Sequence, residues 1–152
     1  MNVYNFLCNI LRKTNKNIYV ELIGGEPTLH HELVDFIKIL SCNSRIKCGI
    51  YTNFTADINL YNFCLKNNVV LTITLHHQFD FATFLNKLLM IEKYIKKHLI
   101  DIKVMLEHLH FDECLKNYHI LYEKYGNNVE ACLLDHDLKT YSIYHSRVAS
   151  IS

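Results

Sequence analysis

The chain of 152 residues is predicted to fold as an α/β protein around a parallel sheet. Three observations carry that reading. Short β-branched apolar runs recur along the chain, and between them lie segments whose apolar residues step by three and four. The two patterns alternate strictly, which calls for right-handed crossovers between parallel strands. The strand segments are continuous apolar runs, as expected where both faces of a sheet are covered. Two architectures fit: a doubly wound open sheet, or part of a (β/α) barrel. In either, ligands collect at the C-terminal ends of the strands.

The elements follow in order. Asn2 to Lys13 carries Val3, Phe6, Leu7, Ile10 and Leu11 on one helical face. Ile18 to Ile23 reads as a strand. Leu29 to Leu40 reads as a helix, with Leu33, Phe36, Ile37 and Leu40 in phase. Ile46 to Tyr51 is a strand, followed by a polar Thr52-Asn53 turn. Asp57 is the expected N-cap of a helix to Lys66. Val69 to Leu75 is a strand ending in His76-His77. Asp80 is the expected cap of a long helix from Phe81 to Lys97. Asp101 to Glu107 is a strand that runs into His108-Leu109-His110. Phe111 to Tyr125 is a helix stopped by Gly126-Asn127. Val129 to Leu134 is a last strand, followed by Asp135-His136-Asp137. Thr140 to His145 is read as one more extended piece.

Composition narrows the function classes. Half of the residues are hydrophobic, a fifth are charged and the formal net charge is +1. That is an ordinary globular balance, without the basic field that nucleic acid or an anionic membrane would call for. No apolar run approaches the roughly 20 residues of a bilayer span. The N-terminus lacks the basic-then-apolar order of a signal peptide. A cytoplasmic protein of one domain, residues 1–152, is the expectation. The six cysteines are Cys8, Cys42, Cys48, Cys64, Cys114 and Cys132. Their spacing forms no local metal clip, and buried free thiols are expected.

The five strand ends are not equally informative. Polar residues occur in any loop, so Thr52-Asn53 and Asp135-His136-Asp137 read first as turns and caps. Gly24-Gly25-Glu26-Pro27 is different. Two successive glycines allow positive φ and close approach of a ligand to the backbone. Pro27 suits the first turn of a following helix, and Glu26 then sits near a helix N-terminus.

In this setting, after V-E-L-I and before T-L-x-x-E-L, the tetrapeptide resembles the glycine-glycine-glutamate-proline motif of the radical S-adenosylmethionine (radical SAM) superfamily. The resemblance implies a partial (β/α) barrel in which this turn gathers the ammonium of the methionine part of S-adenosylmethionine. An ammonium needs several acceptors, which backbone carbonyls and one carboxylate supply. Gly24, Gly25 and Glu26 would then contact the cofactor, with Pro27 shaping the turn. Thr52-Asn53 is similar to the threonine-asparagine turn that many members place after the next strand. His76 falls where the family often has a polar residue near the ribose and carboxylate. The resemblance covers roughly residues 2–135, and only the glycine motif in it is specific.

One departure is large. The family binds a [4Fe-4S] cluster through C-x-x-x-C-x-x-C after its first strand, and the chain holds no such spacing. The resemblance therefore implies a truncated core domain of about five strands with the first one missing, inactive by itself. Its exposed sheet edge would be open to pairing with another chain. No residue is assigned a catalytic or metal-binding role in that reading, and the substrate is not specified. Two alternatives stand beside it. One is a metal-dependent hydrolase on a barrel, because His76, His77, Glu107, His108, His110 and Asp135 all fall at strand ends and H-x-H suits zinc. The other is a non-catalytic module that keeps a ligand-binding turn.

Overall fold

A computed structural model of the chain describes residues 3–134. It is an α/β fold whose five parallel strands follow chain order across the sheet, β1-β2-β3-β4-β5. A doubly wound sheet reverses its order at a switch point. This one has no reversal, which is compatible with a partial β/α fold. The chain divides into two compact units, one up to Thr72 and one from Ile73.

The first unit holds α1 (Val3–Arg12), β1 (Ile18–Leu22), a 3-10 turn (Pro27–Leu29), α2 (Leu33–Ser41), β2 (Ile46–Thr52) and α3 (Ile58–Lys66). β1 pairs with β2 in parallel from Ile18 opposite Ile46 to Leu22 opposite Ile50. β1 ends the strand order and alternates half-buried and exposed residues, whereas β2 buries Ile46, Cys48, Ile50 and Thr52. Leu7 and Leu11 of α1, with Leu33, Ile37 and Leu40 of α2, supply the helical side of the core. Asp57 caps α3 as expected, its Oδ1 accepting from Asn59 N–H at 2.7 Å.

The second unit holds the latter half of β3 (Val70–Leu75), then α4 (Phe81–Leu89), α5 (Glu92–Ile95), β4 (Ile100–Glu107), α6 (Phe111–Tyr125) and β5 (Val129–Leu134). β4 and β5 pair in parallel from Ile102 opposite Val129 to Glu107 opposite Leu134. Ile73, Leu88, Ile91, Ile100, Ile102 and Leu106 are sealed from solvent. Asp80 caps α4 through Thr83 N–H at 2.7 Å.

Of the boundaries that differ from the sequence expectation, three bear on the core or on the turn after β2. The helix expected over 29–40 opens later, at Leu33, because Pro27–Leu29 close a separate 3-10 turn. The long helix expected over 81–97 is broken after Leu89, and Ile91 leaves helical geometry at φ −118°, ψ 9°. The break carries Ile91, Tyr94 and Ile95 into the core, and that burial outweighs a helix continuity worth little by itself. Thr52 belongs to β2 rather than to the turn beyond it. The extended piece expected at 140–145 lies outside the described residues.

Arg45 ties the opposite end of the first unit together. Its guanidinium donates to the carbonyls of Leu11 at 3.2 Å and Lys16 at 3.0 Å, and also to that of Thr14. These are carbonyls that the end of α1 and its following loop leave unsatisfied. Among the described residues no helix is long and apolar enough to cross a membrane. Arg45→Ala should lower stability by about 1–3 kcal/mol in urea unfolding, as expected for losing charge-assisted bonds. Arg45→Lys should recover only part of that loss, because one ammonium cannot span the fork.

Candidate functional site

The turn after β1 is shaped by glycine. Gly24 has φ +94° and Gly25 has φ +56°, conformations that strain any side chain. A Cβ added at either would meet nothing within 4 Å. The glycines therefore serve the backbone path, and space beside the turn stays open. Glu26 then takes extended geometry and caps the 3-10 turn, with Pro27 in its first position. Leu29 N–H closes that turn on the Glu26 carbonyl at 3.1 Å.

The Glu26 side chain does more than cap. Its Oε1 accepts from Thr28 N–H at 3.1 Å, from the Thr28 hydroxyl at 2.5 Å and from the Thr52 hydroxyl at 2.8 Å. Its Oε2 accepts from the Asn53 backbone N–H at 2.7 Å. One half-buried carboxylate thus joins the end of β1 to the end of β2. A hydroxyl has one hydrogen. Thr52 gives its own to Glu26, so the Tyr61 phenol 3.1 Å away donates to Thr52. Phe54 N–H also reaches Thr52 Oγ1, and Ala56 N–H reaches the phenol oxygen, each at 3.1 Å. Burial pushes the Tyr61 phenol above its ordinary pKa of 10.0, so it stays protonated and able to donate.

The same turn holds a backbone outlier. Phe54 is buried at φ +62°, a region that bulky residues avoid. Its ring packs on Tyr61 at 4.6 Å between centroids. Such a conformation costs on the order of 1–3 kcal/mol and persists only where neighbours hold it. The Asn53 side chain turns back on its own loop, its Oδ1 accepting from the N–H and hydroxyl of Thr55 at 3.1 and 2.6 Å.

Gly24, Gly25, Glu26, Pro27, Thr52 and Asn53 therefore form one connected group in the first unit. Thr28, Phe54 and Tyr61 belong to it as well, and the sequence reading missed them. The hydroxyl two places after Glu26 was the available signal for Thr28, because a short side chain there can satisfy a capping carboxylate. Tyr61 lies inside α3, where nothing in the sequence set it apart. Beside the turn a groove of about 540 Å³ runs along β1 and α2, touching Gly24, Pro27, Leu33 and Phe36.

His76 belongs to the second unit, and its neighbours there are Glu107 and Phe79. Its Nδ1 lies 3.7 Å from Glu107 Oε1, and its ring meets Phe79 edge-on at 6.2 Å. His77 is closer, with Nδ1 2.6 Å from Glu107 Oε2, although an N–H there is not aligned as a hydrogen bond. His110 stacks on His77 at 3.8 Å with 10° between the rings. Burial pushes the Glu107 carboxyl up, but His77 and then His76 outweigh it and hold it below the ordinary 4.5. His108 is exposed, and Asp135 lies outside the described residues. Among the described residues no group of three or more His, Cys, Asp or Glu is arranged to hold a metal ion.

No family model matches the chain, and no curated protein or solved structure matches it. What the site can do is therefore read from its own geometry.

The Glu107 environment has a pH signature. Its folded pKa lies below its unfolded one, so the unfolded chain takes up the proton first as pH falls. The stabilisation is complete above 4.5 and is lost as pH drops through the lower folded value. Glu107→Gln should flatten the acid limb of a stability-against-pH curve measured by urea unfolding, while the neutral limb keeps its shape.

Proposed function

We propose that the chain is a core piece of a radical SAM-type protein that holds S-adenosylmethionine by its methionine ammonium at the glycine turn. The observation that carries this is the Gly24-Gly25-Glu26 geometry. Both glycines bend with positive φ beside open space. The carboxylate next to them keeps acceptor capacity, because Oε1 takes three hydrogen bonds and Oε2 takes one. An oxygen of a carboxylate can accept about two. Oε2 is thus the atom with room for an ammonium hydrogen, and the turn's carbonyls are the natural further acceptors. The turn follows β1 directly and so lies at a C-terminal strand end, where β/α folds collect ligands.

The residues present do not fit the family's iron–sulfur cluster. No C-x-x-x-C-x-x-C occurs in the chain. Burial pushes the Cys48 thiol up to about 11 and the Cys64 thiol up to about 12, so both stay protonated at neutral pH. A cluster needs thiolates. No step through a cluster is derived for this chain, and cofactor binding without radical generation is the activity proposed for it.

Isothermal calorimetry tests the reading, with S-adenosylmethionine compared against methylthioadenosine, which lacks the amino-acid portion. S-adenosylmethionine should bind, and methylthioadenosine should bind at least about tenfold more weakly if the ammonium contact carries a charge-assisted hydrogen bond. Glu26→Gln should weaken S-adenosylmethionine by about 10- to 100-fold. Equal binding of the two compounds, or no heat from S-adenosylmethionine at millimolar concentration, would overturn the assignment.

A further inference from the structure

The second unit gathers four groups that exchange protons: His76 and His77 after β3, Glu107 at the end of β4, and His110 on the turn before α6. Glu107 is buried, and its two oxygens each face an imidazole Nδ1, at 2.6 Å for His77 and 3.7 Å for His76. Two bare acceptors repel at 2.6 Å, so the contact favours a hydrogen on one of the two atoms, although no N–H there is aligned as a hydrogen bond. That proton belongs on Nδ1, because a carboxylate is far the weaker base. The remaining ring nitrogen, Nε2, is then an acceptor whenever the ring is neutral. Nδ1 is sealed from solvent, yet the His77 side chain keeps 28% of its surface. That exposed surface belongs to the other atoms of the side chain.

His110 braces the ring of His77. Its own ring lies nearly parallel to that of His77 at 3.8 Å, with 10° between the planes. The other titratable groups on these elements are His76, Asp80 at the start of α4, His108 on the turn, and Asp112 and Glu113 in the first turn of α6.

We propose that His77 is an acid–base residue, oriented by Glu107 and braced by His110, that takes a proton through Nε2 from a ligand hydroxyl or ammonium at the ends of β3 and β4. The ligand's O–H or N–H bond breaks and its electron pair stays on the ligand atom. The new N–H bond forms on Nε2, and Glu107 offsets the charge of the imidazolium. Return of the proton to the product or to water restores the neutral ring. Glu107 and His110 are positioning residues in this arrangement. The inference rests on the second unit alone, so it stands or falls separately from cofactor binding at the glycine turn.

Side-chain ¹⁵N NMR of the full chain decides it. Neutral His77 should carry its proton on Nδ1 and none on Nε2, opposite to the tautomer that free histidine prefers. In Glu107→Gln the population should shift toward the Nε2–H form. Diethyl pyrocarbonate, which acylates a bare imidazole nitrogen, should modify His77 at Nε2 about tenfold more slowly in that variant than in the parent chain. Finding Nε2–H as the His77 tautomer in the parent chain would overturn the proposal without recourse to any variant. An unchanged tautomer and unchanged acylation rate in a folded Glu107→Gln would overturn the role of Glu107.

Discussion

A carboxylate withdrawn from water has to be met by donors, or its desolvation works against the fold. Glu26 meets four, and they come from two separate stretches: Thr28 beside it, and Thr52 with Asn53 at the end of the neighbouring strand. Hydrogen bonding between β1 and β2 sets the register of the strands, yet it says nothing of the loops beyond them. The carboxylate carries that register past the strand ends. It fixes where the glycine turn sits relative to the β2 turn. Tyr61 and the left-handed Phe54 are held through Thr52 in consequence. The strain at Phe54 is tolerated because its surroundings hold it: its ring packs on Tyr61, its N–H reaches Thr52, and its side chain is buried.

The same carboxylate links fold to function. Three bonds on one oxygen and one on the other leave an asymmetric acceptor beside two glycines that open the backbone. A structural latch alone would be served as well by a saturated group. The spare capacity on Oε2 is what turns the latch into a candidate contact for an ammonium. In the second unit Glu107 plays a comparable part with different partners. It is buried among imidazoles instead of hydroxyls, so its effect is to orient a titrating ring. The two carboxylates differ in what their neighbours present: hydroxyls and backbone N–H groups at Glu26, imidazoles at Glu107.

Much of this was legible in the sequence, and the rest has physical reasons for being hidden. Strand and helix alternate with clear periods, and Asp57 and Asp80 announce their helices through short side chains suited to capping. The glycine pair and Pro27 mark their turn by conformational necessity. The break between α4 and α5 left no such mark, because no glycine or proline stands there and core packing made the choice. Phe54 was equally silent, since nothing about phenylalanine suggests positive φ. The pairing of Glu26 with Thr52 crosses 26 positions of chain, beyond the reach of any local pattern. The histidines at the strand ends were visible as a cluster, but not their geometry. His77 and His110 stack face to face, and parallel rings side by side do not converge on an ion.

A double-mutant cycle on the latch measures the coupling between the two strand ends. Unfolding free energies would be compared for the parent chain, Glu26→Gln, Thr52→Val and the double variant. If Glu26 couples the two strand ends through Thr52, the single changes should overlap, with an interaction energy of about 1 kcal/mol or more. Strict additivity of the two changes would contradict the account, because it would mean that the carboxylate and the threonine hydroxyl stabilise the fold independently.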